Sequence, residues 1–195
     1  MAPSLGLHTF TGRTNNQEKT MRRDEKSRGS GCGHDTCELR FERLTADMAL
    51  PALEDVFEAM SSESRYMRYH AATPRLTSSL ARALTELDET RHVAWQARAC
   101  DRAVGLVRLV EDTDGTPELA VEVADDFTGC GIGGTLVSVA LRHAAERGAA
   151  QVRILVHPEN TPAIRLFRAA GASFVFRDGA LEGLIPVNST ASAAA

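Results

Sequence analysis

A single α/β domain, with a mixed and mostly antiparallel central sheet flanked by helices, is what this sequence predicts, and three observations carry the prediction. Segments with two-residue alternation and segments with helical spacing of apolar residues succeed one another along most of the chain. Three β-rich segments in the middle are separated only by short turns, which forces neighbouring strands to run antiparallel. A glycine-rich turn then opens an amphipathic helix, after which strand and helix alternate again.

Taken in order, residues 1–36 are rich in Gly, Ser, Thr, Asn and charge and carry neither period, so they read as a disordered tail. Arg22, Arg23, Lys26 and Arg28 make it locally basic, a solvated feature. Cys32, His34 and Cys37 fall close together there, but a zinc site needs about four ligands and no second cluster supplies the rest. Glu38 to Leu44 alternates as a half-buried strand, and Thr45 with Asp47 starts a helix running into MALPALEDVFEAM. Helical spacing recurs over Ser61 to His70 and over Thr77 to Leu87.

The meander consists of His92 to Arg98, Ala103 to Val110 and Glu118 to Val123, the last two joined by the turn Asp112-Thr113-Asp114-Gly115. A helix from Ile132 to Arg147 stops at Gly148, and a strand follows over Gln151 to Val156. A second helix, Pro162 to Ala170, stops at Gly171 before a strand at Ser173 to Phe176. The ordered domain is expected over residues 37–184, with 185–195 as a flexible tail.

A chain of 195 residues has room for one such domain and its core. A composition of 43% hydrophobic and 25% charged residues is that of a globular protein, and a net charge of -4 offers no electrostatic reason to expect nucleic acid or anionic lipid as a partner. No stretch approaches the ~20 apolar residues of a membrane-spanning helix. The four cysteines, Cys32, Cys37, Cys100 and Cys130, are too sparse for a disulfide framework, and no basic-then-apolar leader opens the chain, so a reducing cytoplasm is expected.

The most informative segment is VEVADDFTGCGIGGTL, residues 121–136. Glycines let a ligand approach the backbone, and the unpaired N–H groups of a helix's first turn, with its macrodipole, attract an anion. Pyrophosphate is the natural guest. Gly129, Gly131 and Gly134 also satisfy GxGxxG, the dinucleotide-binding spacing, with Glu159 after the next strand. That alternative, a nicotinamide enzyme, sits poorly after a meander and with so little chain remaining.

From Val121 to Ala172 the sequence resembles the GNAT superfamily of N-acetyltransferases. The family turn Q/R-x-x-G-x-G/A is matched by Thr128-Gly129-Cys130-Gly131-Ile132-Gly133, with Thr in place of Gln or Arg, and the later V-x-x-x-N by Val156 to Asn160, followed by Gly171-Ala172. SSESRYMRYH, HVAWQA and PELAVEVADDFTGCGIGG are further similar to GNAT domains of bacterial protein-lysine acetyltransferases, which carry patterns close to SPESRYLRF and AEVAxxVADDxQGxGIG.

The resemblance implies a GNAT fold and acetyl-CoA as cosubstrate. Backbone groups of Val123 and Asp125 would pair with the pantetheine arm, and amides across Thr128, Gly129, Cys130, Gly131, Ile132, Gly133 and Gly134 would take the phosphates. Asn160 would touch the pantetheine or cap the next helix. Phe167 stands where many relatives place a tyrosine that protonates the leaving thiolate, and Phe has no proton to give.

Along the third meander strand Glu118, Ala120 and Glu122 share one face. Glu118 matches the glutamate of the AEVA pattern and is the first candidate for general base, with Glu122 the second. The expected reaction is transfer of acetyl to an amine, on a protein lysine or a small molecule. A noncatalytic acyl-CoA sensor is the second reading, prompted by Phe167, and the resemblance is compatible with a homodimer. Cys130 and Trp95 are read as packing residues, and His157 as exposed.

Overall fold

The structure, a computed structural model, describes residues 38–187 except residue 113. The tail, the Cys32-His34-Cys37 grouping and residues 188–195 lie outside the described residues. Among the described residues seven strands form one sheet: β1 (Leu39–Arg43), β2 (His92–Ala99), β3 (Arg102–Glu111), β4 (Pro117–Val123), β5 (Gln151–Val156), β6 (Ser173–Arg177) and β7 (Ala180–Pro186). Their spatial order is β1-β2-β3-β4-β5-β7-β6. Every neighbouring pair is antiparallel except β4 with β5. This is the mixed, mostly antiparallel sheet expected, and it removes the dinucleotide-binding alternative, which requires a largely parallel doubly wound sheet.

Among the described residues five α-helices cover the two faces: α1 (Ala46–Glu58), α2 (Ser62–Tyr69), α3 (Ser78–Thr85), α4 (Ile132–Glu146) and α5 (Thr161–Ala169). Helix α1 buries Ala49, Ala52, Leu53, Val56 and Phe57, a stripe at helical spacing, and that side of the sheet answers with Ala94, Ala103 and Leu106. On the other face α4 buries Ile132, Leu136, Val137, Ala140 and Ala144 against Val93, Trp95, Val107, Leu109 and Leu119. Trp95 is core, as expected. Alternation along β2 to β4 thus divides the apolar side chains between two cores.

Helix α4 sits close to the sheet because β3 has glycine beneath it. A Cβ at Gly105 would lie 2.9 Å from Ile132 Cγ2 and 3.1 Å from Leu136 Cδ1. The start of α4 is therefore pinned to β3, one strand away from β4, and this fixes where the glycine turn emerges.

One strand was not foreseen. No element is expected after Phe176, yet β7 runs to Pro186 with Ile185 fully buried, so the domain extends past the expected boundary at residue 184. The glycine is required by packing: a Cβ at Gly183 would fall 2.6 Å from Ile154 Cγ1 and 2.9 Å from Phe174 Cε1. Gly183→Ala should therefore lower the unfolding free energy by about 1–3 kcal/mol through overpacking. Urea denaturation measures this, and an unchanged midpoint would contradict the close approach.

Candidate active site

The site begins with a ladder that stops. Strand β4 pairs with β3 over its whole length, from Pro117 opposite Glu111 to Val123 opposite Gly105. With β5 it pairs at a single position, Glu118 opposite Arg153. Beyond that bridge the two strands part, and the β5-facing backbone groups of the last part of β4 have no strand to bond. Such groups can take an extended ligand as an added strand. The joined end is held by Arg153, whose guanidinium bonds Asp112 and Asp114 of the β3–β4 turn at 2.8 Å each.

At the open end, Asp125–Phe127 makes one 3-10 turn and Gly129 and Gly131 adopt left-handed φ values of 82° and 80°, conformations natural to glycine. Gly131 is the N-cap of α4 and has no side-chain hydrogen bond; the first donor into the helix is Thr135 N, to Gly131 O at 3.1 Å. The amides of Ile132, Gly133 and Gly134 precede it and have no helical acceptor. They point along the helix axis into the space where an anion would be drawn.

The glycines differ in why they are glycine. A Cβ at Gly133 would press Leu166 Cδ2 at 3.3 Å, so packing accounts for that one. Gly134 is helical and a Cβ there would meet nothing within 4 Å. Neither backbone conformation nor packing needs glycine at 134, in a helix that glycine weakens by about 1 kcal/mol relative to Ala. Open space above free amides is what a phosphate requires.

The expected backbone contact from Asp125 is not supported. Its N–H donates to Ala59 O at 3.1 Å and its carbonyl accepts from Thr128 N at 3.0 Å, while its carboxylate accepts from Ser61 N at 2.9 Å. Asp125 ties the α1–α2 junction to the turn. Asn160 Oδ1 accepts from Ala163 N at 3.1 Å and so caps α5. Phe167 is buried in the core. Thr128 is exposed at the head of the turn, and Cys130 packs half-buried against the core. Neither Cys100 nor Cys130 is a free thiol; both are disulfide-bonded, against the expectation of reduced cysteines, so Cys130 is no nucleophile.

The two candidate carboxylates have opposite surroundings. Glu118 is exposed at the single bridge between β4 and β5, and its side chain makes no hydrogen bond or ion pair with another described residue. Glu122, on the same face and four residues on, is buried; Arg108 Nη2 donates to its Oε1 at 2.5 Å, and Arg68 Nε to its Oε2 at 2.8 Å. Tyr69 donates to Oε2 at 3.4 Å. Burial pushes the Glu122 carboxyl up, but Arg108 and then Arg68 pull harder and leave it below the usual carboxylate range. A carboxylate with both oxygens engaged by cations is an anchor for α2 rather than a base.

The same carboxylate sets Tyr69: burial first, then the Glu122 charge, push its phenol up to about 12. One turn before Tyr69 in α2, Tyr66 packs edge-on against His157, as does His70 at the helix's C-cap, with ring centroids 5.2 and 5.7 Å away. His157 follows directly on β5 and is half-buried, not exposed as the sequence suggested. Helix α2 thus touches β4 through Glu122 and the end of β5 through His157, and so bridges the parted strands. Arg65 donates to Phe57 O at 3.0 Å and lies 4.1 Å over the Phe57 ring, tying α2 to the end of α1.

Arg68 and Arg108 were missed at the sequence level. The signal was there for one of them: an arginine inside AVGLVRLV, on a strand buried by its neighbours, demands a counter-charge, and Glu122 lies on the adjoining strand.

The family model described as "Acetyltransferase (GNAT) family" matches residues 53–172. The crystal structure of the GNAT domain of S. lividans PAT superposes with a TM-score of 0.69 at 28% identity, covering 76% of this chain and 90% of that one. The structure of yncA from Salmonella typhimurium with acetyl-CoA gives a TM-score of 0.60 at 15% identity, over 79% of this chain and 96% of that one. Mycothiol acetyltransferase of Corynebacterium aurimucosum is 36% identical over 64 residues, 32% of this chain but only 21% of that protein.

Two substitutions test the site. Gly134→Asp should leave the melting temperature unchanged or slightly higher, since an acidic residue in the first turn of a helix is favourable, yet weaken coenzyme A binding by about 100-fold or more; calorimetry showing retained affinity would refute the phosphate site. It is a better probe than a change at Gly131, whose positive φ penalises any side chain. Glu122→Gln should cost about 3 kcal/mol of stability at neutral pH, because two arginines lose their counter-charge. The folded carboxyl lies below its ordinary value near 4.5, so this contribution is present above that pH and disappears as pH falls further. Denaturation of both proteins across pH 3 to 7 reads the closing difference.

Proposed function

Because this chain belongs to the acetyltransferase (GNAT) family, whose model spans residues 53–172, we propose that it transfers the acetyl group of acetyl-CoA directly to an amine, with Glu118 as general base. The carrying observation is the β4–β5 ladder that ends at Glu118, on a strand whose other end runs into the free amides of α4. Amides of Gly129 to Gly134 hold the phosphates, and the backbone of β4 near Val123 receives the pantetheine arm. Val123 lies five residue steps of β4, about 16 Å of strand, from Glu118. The cosubstrate supplies an acyl carbon open to attack.

The amine needs help. A lysine with pKa ≈ 10.4 is neutral in roughly one molecule in 2,500 at pH 7. Glu118 takes the proton as the C–N bond forms; the C–S bond then breaks and a thiolate leaves. No tyrosine on α5 can reprotonate it, since Phe167 occupies that place. Tyr69 is an unsuitable substitute: a phenol raised to about 12 and bonded to Glu122 is a far weaker acid than a thiol of pKa ≈ 8.5. Solvent supplies that proton.

A protein lysine is the acceptor favoured by the likeness to the GNAT domain of S. lividans PAT and by the exposure of Glu118 on an open face of the strand. Phe167 keeps one rival in view, an acyl-CoA sensor that binds without turnover. Glu118→Gln separates them. With acetyl-CoA and a panel of free amines that includes lysine peptides, the wild type should release thiol, and the variant should lose about 10²-fold in kcat while keeping its acetyl-CoA affinity. Binding without thiol release by the wild type would favour the sensor, and an unimpaired variant would remove Glu118 from the reaction.

A further inference from the structure

The bridge between β4 and β5 sets a glutamate directly opposite an arginine, Glu118 against Arg153. Residues opposed on neighbouring strands share a face of the sheet at a spacing of about 4.8 Å, and opposite charges so placed ordinarily pair. These two do not. Arg153 turns both its Nη atoms to the β3–β4 turn, Nη1 donating to Asp112 and Nη2 to Asp114 at 2.8 Å each. The Glu118 side chain is left without an ion pair among the described residues.

From this arrangement we infer that Asp112 and Asp114 are positioning residues: by holding Arg153 they keep it off Glu118 and leave that carboxylate open to the incoming amine. This role rests on Glu118 acting as the general base. Two carboxylates compete with one for a single guanidinium, and they hold it toward the turn, away from the parted end of the strands. The backbone N–H of Thr116 and, after it, Arg153 keep the Asp114 carboxyl below its usual range, so it is charged at neutral pH. Exposed ion pairs contribute little to stability, and the larger effect of this one falls on the neighbouring carboxylate.

A released Arg153 would act on Glu118 in two ways. An adjacent cation favours the charged form of a carboxylate and so weakens it as a base. The ion pair would also have to break before the carboxylate could take a proton from the amine. Among the described residues no other cation pairs with Glu118. Arg108 and Arg68 are engaged by Glu122 on the same strand. Opposite Glu118 on β3 stands Val110, with His92 beyond it on β2. Burial and then Arg108 push the His92 imidazole below its ordinary range, so it is neutral at pH 7. Three carboxylates around one guanidinium leave the neighbourhood net negative, which suits an acceptor that arrives as an ammonium ion.

Two variants of the full chain test this role. Asp112→Asn/Asp114→Asn removes both charges while the side-chain oxygen at 114 can still accept from Thr116 N, a bond of 2.8 Å in the wild type. In that variant Arg153 turns to Glu118. Carboxyl NMR titration should place the Glu118 midpoint about one pH unit below its wild-type position. With acetyl-CoA and a lysine peptide, kcat/KM at pH 7 should fall about fivefold to tenfold, and the acid limb of its pH profile should move down with the midpoint. Acetyl-CoA affinity, read by calorimetry, should not change. Adding Arg153→Gln to the double variant should recover most of the midpoint shift and bring kcat/KM to within about threefold of wild type. A Glu118 midpoint that stays in place in the double variant, or a loss of turnover that Arg153→Gln leaves unrelieved, would overturn the inference. A midpoint that moves and recovers as expected while Glu118→Gln turns over normally would support the hold on Arg153 and instead remove Glu118 as the base.

Discussion

Everything about the site depends on backbone hydrogen bonding that β4 begins with β5 and then abandons. Unpaired N–H and C=O groups inside a sheet are costly, so a split of this kind persists only where something stabilises the two strands apart. Here the joined end is clamped by Arg153 on Asp112 and Asp114, and the parted end is spanned by α2. Between them lies a strip of β4 backbone with one side paired to β3 and the other available.

Helix α2 is attached by polar and ring contacts rather than by an apolar stripe, for none of its residues is fully buried. Its N-terminus meets Asp125, its middle is tied through Arg65 to the end of α1, and its C-terminal half meets Glu122 and His157. Glu122 is the strongest of these anchors. A buried carboxylate between two guanidiniums adds little stability compared with an apolar replacement, but it is exacting about geometry. It fixes α2 over the split, and its role explains why two glutamates on one face of β4 have different fates: one is consumed by structure, the other is left to chemistry.

Much of this was legible before any coordinates. The meander, the glycine turn and the two helix–strand pairs after it follow from local signals: two-residue alternation, caps, and glycine where φ is positive. The family resemblance rested on the same stretch. Less legible was β7, whose glycine and proline mask a strand that exists because Ile154 and Phe174 fill the space a side chain would need. Equally hidden was the difference between Gly133, held by Leu166, and Gly134, held by nothing in the protein.

What the sequence determined by itself was local: which segments extend, which coil, where the backbone must turn left-handed, and which residue types could serve an acyl transfer. Those properties depend on neighbours a few positions away. The tertiary structure alone decided that the ladder stops at Glu118, that the Asp125 N–H bonds Ala59 at the end of α1, that Glu122 lies beneath Arg68, and that α2 reaches His157. Each is a contact between residues dozens of positions apart, and burial and charge at such contacts are set by packing, which no local pattern encodes.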